Sequence, residues 1–307
     1  MTSMLDSVKK FYEQQYKYLL LFPFLLLVGS FLQIGWQYAE TGDFVNKGIT
    51  LKGGSTITVN DDGSIDSIAL QRFLQENFPD TEILVRTITT AGSVVSLAID
   101  TDLQESSDID NLLSVLGQKV ILTKENYSVE IIGSSLGKSF FKQTAIALLI
   151  AFVLMAAVVF LYFRTLIPSL TVILAAFSDI VVTIAIFNLT GMKLSTAGVA
   201  AFLMLIGYSV DTDILLGSRF FKRQDLPVME RIYSAIKTGL TMTTTAIAAV
   251  VVTLIFVSND VVKQIMVILL IGLFVDIIMT WIQNVGTLRL YHEKTLKGGK
   301  VTDETRF

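Results

Sequence analysis

The stretch LSTAGVAAFLMLIGYSVDTDILL, Leu194–Leu216, decides how the chain is read. It is long and apolar enough to cross a bilayer, yet it carries two carboxylates, Asp211 and Asp213, near one end. A carboxylate at membrane depth costs roughly 2.5–3.5 kcal/mol on insertion scales unless it faces other helices or water. Gly207, Tyr208 and Ser209 precede the pair, and Ala197, Gly198, Ala200, Ala201 and Gly217 allow close helix approach. Small residues of this kind favour packing against neighbouring helices, so the stretch reads as a central span.

The rest of the composition agrees. Of 307 residues, 52% are hydrophobic and 17% charged, and the mean hydropathy is +0.63, which places the chain among integral membrane proteins. Cysteine is absent, and the single histidine, His292, lies in the polar C-terminal stretch. Thiolate and histidine metal sites, Cys nucleophiles and His-based triads are therefore excluded. No phosphate-binding Gly-x-x-x-x-Gly-Lys motif occurs, so ATP is not the direct energy source. No cofactor, metal or nucleic-acid partner is expected.

Six apolar runs appear, at Tyr18–Trp36, Gln143–Phe163, Leu166–Phe187, Leu194–Leu216, Thr238–Val257 and Lys263–Trp281. Each matches a hydrocarbon core of about 30 Å at about 1.5 Å per helical residue. They are numbered spans 1 to 6 below. The first follows a polar leader without a small-residue cleavage site and reads as a retained span. Lys9, Lys10, Lys17, Arg164, Arg219, Lys222, Arg223, Arg231, Lys237, Arg289 and Lys294 all fall on one side of a six-span arrangement. The positive-inside rule puts that side, and both termini, in the cytoplasm of a plasma-membrane protein. The expected division is residues 1–38 with span 1, residues 39–142 outside, residues 143–282 with spans 2 to 6 and a basic cytoplasmic loop at 218–237, and a polar tail at 283–307 that frays. The loop, with Pro227 in a first helical turn, reads as a short interfacial helix or a docking surface.

The segment between spans 1 and 2 is acidic, with fifteen acids against six bases from Glu40 to Ile132. Strand alternation at Ile49–Val59 gives way to helical spacing at Ser64–Asn77, then two strand-like runs, Glu82–Thr89 and Ser93–Asp100. A second helix follows at Ser106–Gly117, capped by Ser107 or Asp108, and a last strand at Tyr127–Ile132. Val120–Thr123 is a candidate further strand. The order β-α-β-β-α-β is that of a ferredoxin-like split unit. The expected fold is thus a six-span α-helical bundle with one ferredoxin-like α+β domain on the outer side.

Four aspartates lie in or at the edge of the spans, Asp179, Asp211, Asp213 and Asp276, and no Lys or Arg shares those interiors. An isolated buried carboxylate ordinarily takes up a proton, the property needed by a group that cycles protons across a membrane. The competing reading is a polar packing residue hydrogen-bonded across helices. Counting places Asp179 near mid-bilayer and the other three nearer the cytoplasmic side. Asp211 and Asp213 project about 200° apart on a helix. That geometry leaves Asp211 to meet Asp276 and turns Asp213 towards Arg219 or the interface. On span 5, Thr241, Thr244 and Thr245 form one hydroxyl face. It serves either interhelical hydrogen bonding or a water path beside a carboxylate.

Four patches then resemble the SecF branch of the SecD/SecF family of protein-export membrane proteins, in the resistance-nodulation-division superfamily. They are Gly48-Ile-Thr-Leu-Lys-Gly53-Gly54, Ser178-Asp179-Ile-Val-Val-Thr183, Gly207-Tyr208-Ser209-Val-Asp211-Thr-Asp213, and the Thr-rich Thr241–Thr245. The resemblance implies an accessory subunit that acts with a six-span SecD-like partner and the Sec translocon channel. Such a subunit uses the proton gradient to help draw unfolded exported chains outward through the lipid bilayer. It also implies a relay role for Asp179, and Arg219 matches a basic position of the family. Ser178 stands where bacterial members carry His, Asp211-Thr-Asp213 where they carry Asn-Asp, and Asp276 lies outside their pattern; the variant is similar to the archaeal branch. The same residues leave two other readings. One is half of a proton-coupled lipid or drug exporter of the superfamily, and the other an intramembrane aspartyl protease pairing Asp179 with Asp211.

Overall fold

A computed structural model describes residues 10–61, 64–90, 93–123, 125–222, 226–257 and 260–297. It contains six helices of membrane-crossing length and composition: Tyr16–Thr41, Ser134–Phe163, Leu166–Leu189, Thr196–Phe221, Val228–Phe256 and Val261–Thr295. These are spans 1 to 6. Spans 3, 4 and 6 lie largely inside the bundle, whereas spans 1, 2 and 5 turn most of their surface outward. Span 3 buries residues on every side, from Ser169 and Val172 through Ser178, Asp179 and Val182 to Phe187. A span surrounded by other helices can hold polar groups at a depth where a lipid-facing one cannot.

Three helices differ from the apolar runs that mark them. Span 2 begins at Ser134, directly after the last strand. The basic segment before span 5 is no separate interfacial helix among the described residues: from Val228, with Pro227 at its N-cap, one helix runs unbroken to Phe256. Span 6 does not end at Trp281. Its α-helix Asp260–Ile278 passes into a π-helical turn, Met279–Asn284, and continues as an α-helix, Val285–Lys297. The polar residues after Gln283 that suggested a fraying tail are therefore helical as far as residue 297. Gln283 and Asn284 are buried at 1% and 0% exposure.

Between spans 1 and 2 lies a four-stranded sheet, β1 Gly54–Asn60, β2 Ile83–Thr90, β3 Ser93–Thr101 and β4 Tyr127–Ile132, in the order β2-β3-β1-β4. All neighbours are antiparallel; Ile57 faces Ile99 on one side and Val129 on the other. Helices Ser67–Asn77 and Ser106–Leu116 cover one face, closing Ile57, Val59, Leu97 and Ile99 over Leu74 and Leu112. Asp66 caps the first helix, accepting from Ile68 N at 2.9 Å and Ala69 N at 3.2 Å. In the second helix Glu105, and not Ser107 or Asp108, holds the N-cap position, without a side-chain capping bond, and residues 121–123 form no strand. The Gly53-Gly54 pair enters the sheet where two backbones nearly touch. Gly53 has φ +93°, and a Cβ there would stand 2.6 Å from Ser134 Cα; Gly54 has φ +146°, and a Cβ would stand 2.3 Å from Thr101 O. Only glycine fits both demands.

The sheet domain is tied to the link between spans 3 and 4. Gly48 N donates to Leu194 O at 2.8 Å and Leu194 N to Asn46 O at 2.6 Å. Glu82 at the head of β2 meets Lys52 at 3.3 Å and also Lys193.

Candidate functional site

Span 4 turns a stripe inward at intervals of three and four residues: Phe202, Leu205, Ile206, Ser209, Thr212, Asp213 and Leu216 are all buried. Facing it are Ser178 and Asp179 from span 3, and Asp276, Thr280, Gln283 and Asn284 from span 6. Three carboxyls thus lie inside the bundle, Asp179 at 1% exposure and Asp213 and Asp276 at 0%.

Their contacts run through hydroxyls and amides. Ser209 donates its hydroxyl to Asp179 Oδ2. Thr212 Oγ1 lies 2.8 Å from Ser209 O and 3.3 Å from each Asp276 oxygen, and Thr280 donates to Asp276 Oδ1 at 3.0 Å. Asn284 donates to Asp213 Oδ1 at 2.7 Å, and Gln283 to Ser178 Oγ at 3.0 Å. Asp179 Oδ1 and Asp213 Oδ2 are buried with no hydrogen-bond partner among the described residues. Among the described residues, no Lys or Arg forms an ion pair with any of the three. Nor does any group of three or more His, Cys, Asp or Glu side chains among them suit a metal ion.

The π-helical turn contributes much of this geometry. A turn with i→i+5 bonding carries one more residue than an α-turn, which rotates the helix beyond it by about 100° relative to an unbroken α-helix. Asp276 lies in the α-helix just before the turn, and Thr280, Gln283 and Asn284 lie within it.

Several expectations are corrected here. Asp211 does not meet Asp276: it is exposed, on the span 4 face shared with Ala200, Met204 and Gly207, and Asp213 takes the inner place. The periodicity explains why, since Asp213 continues the buried series through Ile206 and Ser209 while Asp211 continues the exposed series of Ala200, Met204 and Gly207. Asp213 does not turn to Arg219, whose guanidinium donates to Ser234 O and, at 2.6 Å, to Ser234 Oγ on span 5. Thr241, Thr244 and Thr245 are also exposed, and Thr241 and Thr245 donate to carbonyls of their own helix at 2.8 Å. The buried hydroxyl of that run is Thr243. Tyr208, half-buried, donates to Met242 O at 3.2 Å, linking the exposed faces of spans 4 and 5. With Asp211 outside the cluster, the Asp179–Asp211 pair required of an aspartyl protease is not assembled.

Residues 113–294 match the family model described as protein export membrane protein SecD/SecF, C-terminal. Over 290 residues the chain is 37% identical to the protein-export membrane protein SecF of Pyrococcus furiosus, covering 94% of this chain and 95% of that one. The chain belongs to the SecD/SecF family. A SecF of Methanocaldococcus jannaschii is 36% identical over 291 residues, covering 91% and 96% of the two chains. The fold matches the crystal structure of SecDF from Thermus thermophilus with a TM-score of 0.69 at 19% identity, over 91% of this chain. The chain spans 38% of the length of that SecDF chain. Membership in the SecF branch makes it a multi-pass membrane protein with an accessory role in Sec protein export, a transport subunit and not an enzyme.

Proposed function

We propose that this SecF-family chain couples the proton gradient to export, with Asp179, Asp213 and Asp276 as the groups that bind and release the proton. The observation that carries the reading is the set of three enclosed carboxyls with no basic partner among the described residues. Unpaired buried charge costs several kcal/mol per group, whereas a shared proton removes most of that penalty. Thr212 has one hydrogen to give, and Ser209 O at 2.8 Å is its better acceptor. Its 3.3 Å contacts with Asp276 are then best satisfied by a proton on that carboxyl. Ser209, Thr212 and Thr280 supply hydroxyls that donate or accept, as a relay requires.

The partner in this reading is a six-span SecD-like subunit, as the joint SecDF structures suggest. Its docking face is the exposed strip Ala200, Met204, Gly207 and Asp211 on span 4 with Thr241, Thr244 and Thr245 on span 5. A carboxylate at membrane depth calls for protein opposite it and not acyl chains. The distribution of Lys and Arg supports cytoplasmic termini, with the sheet domain, a ferredoxin-like unit by strand order, on the outer side. The Sec channel and the unfolded exported chain complete the set of partners. The test is export of a Sec substrate by the reconstituted complex with and without a proton gradient. Asp179→Asn is expected to abolish the gradient-dependent part; an unchanged gradient response would remove the relay role.

A further inference from the structure

The segment before span 1 reaches the carboxyl cluster through the π-helical turn. Residues 10–14 form a short helical strap against spans 5 and 6. Tyr12 Oη donates to the carbonyl of Trp281 at 2.5 Å, a bond across 269 residues of sequence. Arg289 holds the strap from span 6, donating to Glu13 O at 2.9 Å and Tyr12 O at 3.4 Å, with its guanidinium 3.9 Å from the centre of the Tyr16 ring. Tyr233 holds it from span 5, donating to the Glu13 carboxylate at 2.9 Å. The Trp281 ring fills a notch at Gly239, where a Cβ would stand 2.2 Å from Trp281 Cζ2.

The anchored residue is the telling one. Trp281 follows Thr280, which donates to Asp276, and precedes Asn284, which donates to Asp213. A π-turn is less regular than the helix around it, so an external bond to its backbone decides where the side chains beside it point. Burial pushes the Tyr12 hydroxyl pKa up, so it stays a donor at every physiological pH.

We propose that Tyr12 is a positioning residue: by holding the Trp281 carbonyl it sets the π-turn so that Asn284 and Thr280 meet Asp213 and Asp276. The relevance of this to transport rests on the proton-coupling reading above; the positioning itself does not. Substitution of Tyr12→Phe keeps the ring and removes only the hydroxyl. In the complex with its SecD-like partner, two readouts are compared. One is the pH profile of gradient-driven export. The other is the infrared carboxyl signal that disappears in Asp213→Asn. Loss of one neutral hydrogen bond predicts a fall in export of about two- to tenfold, a shifted pH profile, and a displaced Asp213 signal. Wild-type profile and wild-type signal in Tyr12→Phe would overturn the proposal. If Asp179→Asn, Asp213→Asn and Asp276→Asn all export normally while Tyr12→Phe still displaces the Asp213 signal, the positioning stands and the proton-coupling reading falls.

Discussion

Gly239→Ala on span 5 sets packing against helix propensity with opposite signs. Propensity alone predicts a gain of about 0.8–1.0 kcal/mol, because alanine restricts the unfolded chain and suits a helix. The structure predicts a loss. A Cβ at Gly239 would lie 2.2 Å from Trp281 Cζ2 and 2.7 Å from Cη2, against about 3.5–4.0 Å for carbon atoms in ordinary contact. The ring cannot retreat freely, since Trp281 is 4% exposed and packs among Leu216, Ile232, Ala235, Val285 and Leu288. Overpacking of this kind costs about 1–3 kcal/mol, and the size of the overlap argues for the upper part of that range. The expected net destabilisation is therefore about 1–2 kcal/mol. Unfolding in mixed micelles, followed by Trp281 fluorescence in a Trp36→Phe background, measures it. Gly35→Ala on span 1, where nothing lies within 4 Å of the added carbon, is the control and is expected to be neutral or stabilising. Adding Trp281→Phe to Gly239→Ala removes the overlapping atoms and is expected to show a favourable coupling of about 0.5–3 kcal/mol. A Gly239→Ala protein as stable as Gly35→Ala would refute the notch.

Two further outcomes follow from the site. Thr212→Val keeps the side-chain shape and deletes the hydroxyl between Ser209 O and Asp276; it is expected to leave assembly intact and slow gradient-driven export by about two- to tenfold, corresponding to one hydrogen bond. Asp211→Leu, at an exposed position, is expected to leave the isolated chain folded but to reduce co-purification with the SecD-like partner, whereas Asp213→Asn retains the partner and loses export.

Much of this was legible in the residues. Six spans follow from hydropathy, and the strand and helix order between spans 1 and 2 follows from period and turn residues. The inner face of span 4 was also available, because the series Phe202, Ile206, Ser209, Asp213 and Leu216 holds helical spacing. Depth and the angle of about 200° between Asp211 and Asp213 instead set Asp211 against Asp276. Thr241, Thr244 and Thr245 share a face, but a shared face does not say which way it turns; that depends on neighbouring helices. Gln283 and Asn284 were hidden for a different reason. Polar residues at the end of an apolar run ordinarily mark the exit from the bilayer, yet in an inner span they find Ser178 and Asp213 as partners. The π-turn has no signature of its own in the sequence, since a distant hydroxyl, Tyr12, and a distant notch, Gly239, help to hold it.

The most direct test of the buried carboxyls is proton movement itself. The complex with its SecD-like partner is reconstituted in liposomes holding a pH-sensitive dye, and proton entry is followed while a Sec substrate is exported. Export-dependent proton entry is expected in the wild type and in Asp211→Asn, and its loss in Asp179→Asn, Asp213→Asn and Asp276→Asn. Wild-type proton entry in all three inner variants would contradict the account.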